Sequence, residues 1–161
     1  MRIRPFVDAD LQPLIDLTVE TFRPFFEGYV RPAYGEELFD RHHGQWEQEY
    51  RDELRNLHDP AARRWVAVAE VGADVAGYVA WNSAERSDHG RIWLLAVSEP
   101  YRRGHVGSEL CRHAIDAMKA DGVEVVEVGT GGEDAFHAGA RALYRSLGFL
   151  KVPIAGYIKT I

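Results

Sequence analysis

Apolar positions along the chain switch between two periods, and the switches divide it into strands and helices. Residues 2–5 (RIRP) read as a short strand. Leu11, Leu14, Ile15, Leu17 and Val19 then recur at helical spacing behind a capping Asp8 or Asp10 and end near Phe22. RPFFEGYVRPAYG, with Pro24, Pro32, Gly28 and Gly35, predicts a loop, and the charged run from Glu36 to Leu57 a single helix stopped near Pro60. RRWVAVAEV and VAGYVAWN, joined by GAD, form a predicted hairpin, and RIWLLAV is a strongly apolar strand. A helix follows from Val106 to Ala120 with Leu110, Ala114, Ile115 and Met118 as its buried stripe, stopped at Asp121-Gly122. VEVVEVG is a buried strand, TGGEDAFHAG a loop, ARALYRSL a short helix stopped by Gly148, and FLKVPIAGYIKTI a terminal strand pair. This order predicts an α/β fold, a mixed sheet with helices on both faces.

Composition narrows the class. With 161 residues, 46% hydrophobic and 27% charged, the chain suits one soluble globular domain spanning residues 1–161. No apolar run reaches the roughly 20 residues of a membrane helix. The N-terminus lacks the apolar core of a signal peptide, and the single Cys111 cannot form an internal disulfide, so a cytoplasmic location is expected. A net charge of −6 argues against nucleic acid as a partner. Arg102, Arg103, His105 and Arg112 still make a local basic patch. Acidic residues crowd Glu36, Glu37, Asp40, Glu47, Glu49, Asp52 and Glu53, either as a solvated helix face or as a field for a cationic substrate.

SEPYRRGHVGSEL, residues 98–110, lies between the apolar strand and the long helix. A turn at a helix start presents unpaired backbone N–H groups and the positive end of the helix dipole, which suits a diphosphate. Gly104 and Gly107 remove side chains at two points of approach, and Arg102 and Arg103 add charge. The alternative is a glycine-containing turn that only begins a helix.

The stretch AVSEPYRRGHVGSEL resembles the acetyl-coenzyme A motif of the GNAT family of N-acetyltransferases, mapped onto Arg102, Arg103, Gly104, His105, Val106 and Gly107. LYRSLGF, with Tyr144, Gly148 and Phe149, is similar to a second family element, and the likeness covers nearly the whole chain. It implies a GNAT-like, mostly antiparallel twisted sheet and acetyl-CoA as cosubstrate, with no metal. It also implies that backbone groups of Leu95, Ala96 and Val97 pair with the pantetheine arm and that the N–H groups of Arg103 to Ser108 hold the pyrophosphate. Tyr144 would protonate the departing thiolate, since a phenol keeps its proton at neutral pH; its alternative is a core aromatic.

Two positions depart from the family pattern. His105 replaces the first glycine, which fits if its φ is negative, its ring meets solvent and Gly104 takes the unusual conformation. His137, seven residues before Tyr144, stands where many relatives carry an asparagine that contacts the coenzyme; its ring would bind the coenzyme or only cap the helix. Glu127 matches a position where some relatives place a basic carboxylate, against a solvated or ion-paired alternative, and Asp88 and His89 are further candidates. Cys111 reads as a core residue.

The implied reaction is direct attack of a primary amine on acetyl-CoA. Aromatics (Phe22, Phe25, Phe26, Tyr29, Tyr34, Trp46, Tyr157) beside the acidic run suit a cationic small molecule as acceptor. A protein or peptide amine, or an acyl-CoA-binding sensor without transferase activity, are the alternatives, and the family allows a homodimer.

Overall fold

The computed structural model describes residues 1–83, 88–153 and 157–159. The chain divides into two compact units: residues 1–22 with 47–129, and residues 23–46 with 130–161.

The first unit is built on a five-stranded sheet in sequence order: β1 (Arg2–Pro5), β2 (Arg64–Val71), β3 (Asp74–Ser83), β4 (His89–Val97) and β5 (Val125–Val128). The first four strands pair antiparallel and β5 lies parallel to β4, so the sheet is mixed and mostly antiparallel, as expected. The β2–β3 hairpin turns at Gly72, whose φ of 66° lies in the left-handed region that glycine enters without strain.

Period-two alternation sends the two sides of these strands into different cores. Val66, Val68, Tyr78, Ala80, Leu94 and Ala96 face α1 (Leu11–Phe25) and α4 (Trp46–Arg55), where Leu14, Ile15, Leu17, Leu54 and Leu57 close the layer. The opposite face receives α5 (Val106–Ala120), which packs on β2, β3 and β4 and buries Leu110, Cys111, Ala114 and Met118. Helices therefore cover both faces.

The second unit holds α2 (Arg31–Tyr34), α3 (Glu36–His43) and α6 (Ala138–Ser146). The segment expected as a loop is helical. Helix α1 runs through Pro24 to Phe25 and widens into a π-helical turn, Phe26–Val30, that leads into α2. Pro24 lacks the N–H of a regular i→i−4 bond, and a widened turn beside it keeps the helical path going. The predicted long charged helix is two, α3 and α4, broken at Gly44. A Cβ there would sit 2.4 Å from the Asp40 carbonyl oxygen, so this corner admits glycine alone. The expected terminal strand pair is not found in residues 149–153 and 157–159; residues 154–156 and 160–161 lie outside the described residues. No helix among the described residues is long and apolar enough to cross a membrane.

Candidate functional site

Pairing between β4 and β5 runs from His89–Val125 to Ile92–Val128 and stops, although β4 continues to Val97. Among the described residues, no strand pairs with Trp93–Val97 on that edge. A bulge adjoins this open stretch. Ala80 pairs with Leu94 and Trp81 with Ile92, so Trp93 is the extra residue. Its indole N–H donates to the Glu53 carboxylate, and the Arg91 guanidinium lies over its ring, 4.7 Å from the centroid. Backbone groups alternate between the two edges of a strand, so those of Ala96 face β3, while the N–H and C=O of Leu95 and the N–H of Val97 point to the open edge.

Strand β4 leads into a 3₁₀ turn, Glu99–Tyr101, and then into residues 102–105. The Arg102 Nε donates back to the Val97 carbonyl at 2.9 Å and ties the loop to the strand end. Arg103 and His105 both adopt positive φ, 63° and 65°, and Gly104 does not. This reverses the expectation that Gly104 would carry the unusual conformation and His105 a negative φ. Histidine is among the residues that enter the left-handed region more readily, and the ring at 105 is exposed, as expected.

The first helical bond of α5 is from Glu109 N–H to the His105 carbonyl, at 3.0 Å. The N–H groups of Arg103, Gly104, His105, Val106, Gly107 and Ser108 precede it, in the turn at residues 102–105 and the first turn of α5. These N–H groups lie with the positive end of a 15-residue helix and two exposed arginines, an arrangement whose chemistry suits an anion. These groups fit the diphosphate of a coenzyme A. Arg112 belongs less to this arrangement, because Glu109 binds it at 2.6 Å.

Glu127 sits opposite Arg91 in the parallel register and is exposed. Its neighbour Val126 lines a recess with Ile115 and Lys119 of α5, so alternation puts Glu127 on the face away from α5. Asp88 and His89 hold each other at 2.7 Å, and the Asp88 carbonyl accepts the amides of Glu124 and Val125 at the start of the parallel pair.

In the second unit, Tyr144 is buried on α6 with its ring edge-on to Phe149, 5.9 Å between centroids. The expected stop at Gly148 is present, with φ of 87°. His137 occupies the N-cap of α6, and its partner is one that the sequence reading missed. The buried Asp134 carboxylate accepts both the His137 amide, at 2.9 Å, and its Nδ1, at 2.7 Å. Burial pushes the Asp134 carboxyl up, but these two bonds and the attraction of the imidazole outweigh it, so its pKa lies below the ordinary value. Asp-x-x-His before a helix is a capping signal that could have revealed the pair.

The acidic run is largely engaged locally. Arg31 binds Glu27 and Glu36, each at 2.7 Å, and Asp40 at 3.3 Å, while Arg55 pairs with Asp52 and Arg41 with Glu37. Aromatics gather within the second unit instead. Phe25 stacks with Tyr29 and meets His137 edge-on at 4.6 Å, and Phe26 stacks on Trp46.

A family model described as the acetyltransferase (GNAT) family matches residues 20–149. Several solved structures share the fold. The PaiA N-acetyltransferase of Thermoplasma acidophilum, solved in complex with coenzyme A, is 18% identical over 96% of this chain and 92% of its own, with a TM-score of 0.76. An aminoglycoside antibiotic 6'-N-acetyltransferase from Acinetobacter haemolyticus is 16% identical over 100% and 99%, with a TM-score of 0.68. An aminoglycoside acetyltransferase from an uncultured soil metagenomic sample, in complex with sisomicin, is 18% identical over 99% and 95%, with a TM-score of 0.62. No curated protein matches this sequence.

Proposed function

Because the chain belongs to the GNAT acetyltransferase family, we propose that it moves an acetyl group from acetyl-CoA to a primary amine of a cationic small molecule. The observation that carries this reading is the open edge of β4 followed, after one 3₁₀ turn, by the N–H groups at the start of α5. An extended arm with amide groups adds to such an edge as a further strand would, and a diphosphate fits the turn that follows. Leu95 and Val97 would hold the arm. The N–H groups from Arg103 to Ser108, flanked by Arg102, would hold the phosphates, and His137 would lie against the coenzyme.

The thioester supplies an activated acetyl group, so the protein has only to position it and manage protons. Tyr144 donates its hydroxyl proton to the departing sulfur. Glu127, exposed on the face away from α5, meets the acceptor's ammonium group. Support for a cationic acceptor comes from this carboxylate and from Glu53 at the bulge.

The test is free-thiol release from acetyl-CoA across aminoglycosides, polyamines, amino acids and short peptides. Release with a cationic small amine supports the proposal; release with peptides alone moves the acceptor to a protein. Tyr144→Phe should lower turnover by about tenfold or more while coenzyme binding stays nearly unchanged. Equal turnover would remove the role given to Tyr144.

A further inference from the structure

Acetylation of an ammonium group needs a proton acceptor. Glu127 stands on an exposed strand face opposite Arg91. A more elaborately built candidate lies on α6. The Asp134 carboxylate is only 4% exposed and grips the His137 ring nitrogen and main-chain N–H together. Arg141 fixes the loop around it by donating to the Gly131 carbonyl at 2.8 Å and to the Asp134 carbonyl at 2.7 Å. A Cβ on Gly131 would lie 2.0 Å from Asp134 Oδ2 and 2.5 Å from His137 Nδ1, so the loop comes as close as a bare backbone allows. Capping a short helix requires none of this enclosure of the ring.

We infer that His137, oriented by Asp134, is the general base that takes a proton from the acceptor amine. Asp134 is the positioning residue. An ionised carboxylate on Nδ1 makes that nitrogen the N–H, which leaves the lone pair on Nε2. His137 and Tyr144 are seven residues apart, almost two turns, so they share one face of α6 with a rise of about 10 Å between them. Hydroxyl to sulfur, amine to thioester carbon and base to amine are three contacts of about 3 Å each, and together they span that distance. The inference rests on the transferase reading.

The proton balance closes. His137 Nε2 takes one proton from the ammonium and later releases it to solvent. The freed lone pair forms the C–N bond, and the C–S bond breaks with its electron pair on sulfur. Tyr144 protonates that sulfur and regains a proton as the amide nitrogen loses its second. Among the described residues, the charged groups about the imidazole are Asp134, in its loop, and Arg141, on α6 and 4.0 Å from Asp134 Oδ2; Phe25 of α1 contributes a ring. Glu133 is tied to Lys151 at 3.0 Å.

The deciding experiment combines the pH profile of kcat/KM, for the best amine of the screen, with nitrogen-15 NMR of the full chain labelled at histidine. The wild type should lose activity as pH falls and the base takes up a proton. Acetyl-CoA affinity of His137→Asn is measured alongside, so that a loss of binding is separated from a loss of turnover. The turnover of this variant should drop about a hundredfold, and the acid limb should vanish. Asp134→Asn preserves the cap on the His137 amide yet should also reduce turnover. A limb that survives in His137→Asn and disappears in Glu127→Gln overturns the inference. The NMR arm is independent of any acceptor. Neutral His137 protonated on Nδ1 supports the dyad, and protonation on Nε2 overturns it even if no amine is acetylated. Silence across the whole amine panel would count against the transferase reading, not against this geometry.

Discussion

The hydroxyls of Thr18 and Tyr78 lie 2.6 Å apart in the core between α1 and the sheet. Thr18 also donates to the Leu14 carbonyl at 2.6 Å, so Tyr78 must donate to Thr18. Burial pushes the Tyr78 hydroxyl pKa far above its ordinary value and keeps it a donor. The two truncations are therefore unequal. Tyr78→Phe leaves Thr18 with its carbonyl partner and should cost about 1 kcal/mol. Thr18→Val strands a buried O–H and should cost about 1–3 kcal/mol. Urea unfolding of both variants measures the difference, and the reverse order would contradict the assigned direction of donation.

His105 offers a stabilising change. A non-glycine residue in the left-handed region carries a strain of about 1 kcal/mol, and the side chain is exposed. Part of that strain offsets the extra freedom glycine has in the unfolded chain. His105→Gly should leave stability equal or raise it by up to about 1 kcal/mol, with coenzyme affinity retained because the backbone N–H remains. His105→Val should do the opposite, and calorimetric melting of the two separates them.

Acid sensitivity centres on Asp10. Its carboxylate, nearly buried, takes two bonds from the Arg4 guanidinium, at 2.6 and 2.7 Å, and one from the Val7 amide at 2.9 Å. Hydrogen bonding by Arg4 holds its pKa below the ordinary value against the opposing effect of burial. The resulting stability is full above the unfolded carboxylate's pKa of about 3.9 and is lost as pH falls through the lower folded value. Asp10→Asn should be destabilised at neutral pH, with the gap to wild type closing only in strong acid. A gap independent of pH would assign the effect to packing instead.

Cys111 should be silent toward thiol reagents in the folded protein. It is fully buried, and burial pushes its thiol up to about 12, so almost no thiolate exists at neutral pH. Labelling should follow unfolding, with the rate rising in step with denaturant. Thiol-release assays with the native enzyme then report the coenzyme alone.

The sheet was legible because its strands are short apolar runs bounded by unmistakable turns, as in the hairpin from Arg64 to Ser83. Residues 23–35 were misread for a physical reason. Pro24 and Gly28 disfavour a regular helix, yet Pro24 sits in the last turn of α1 and Gly28 in the π turn that follows, and nothing in local composition announces that turn. Gly44 broke the charged helix through contact with the Asp40 carbonyl, a steric fact that no hydropathy pattern carries. Loop and helix motifs marked out the turn before α5, but the positive φ expected at Gly104 falls on Arg103 and His105. Asp134 reads as one more polar loop residue until folding brings its carboxylate onto the His137 amide and ring.

The bulge at Trp93 and the early end of β5 leave one side of β4 with backbone groups that no strand among the described residues pairs with. Any extended peptide is a competitor for that place, including the same segment of a second molecule. Colloidal behaviour and ligand binding are thereby coupled: a compound lying along Leu95–Val97 should also be the best protection against self-association. Shelf life in solution, with and without coenzyme A, would then report occupancy of the strand.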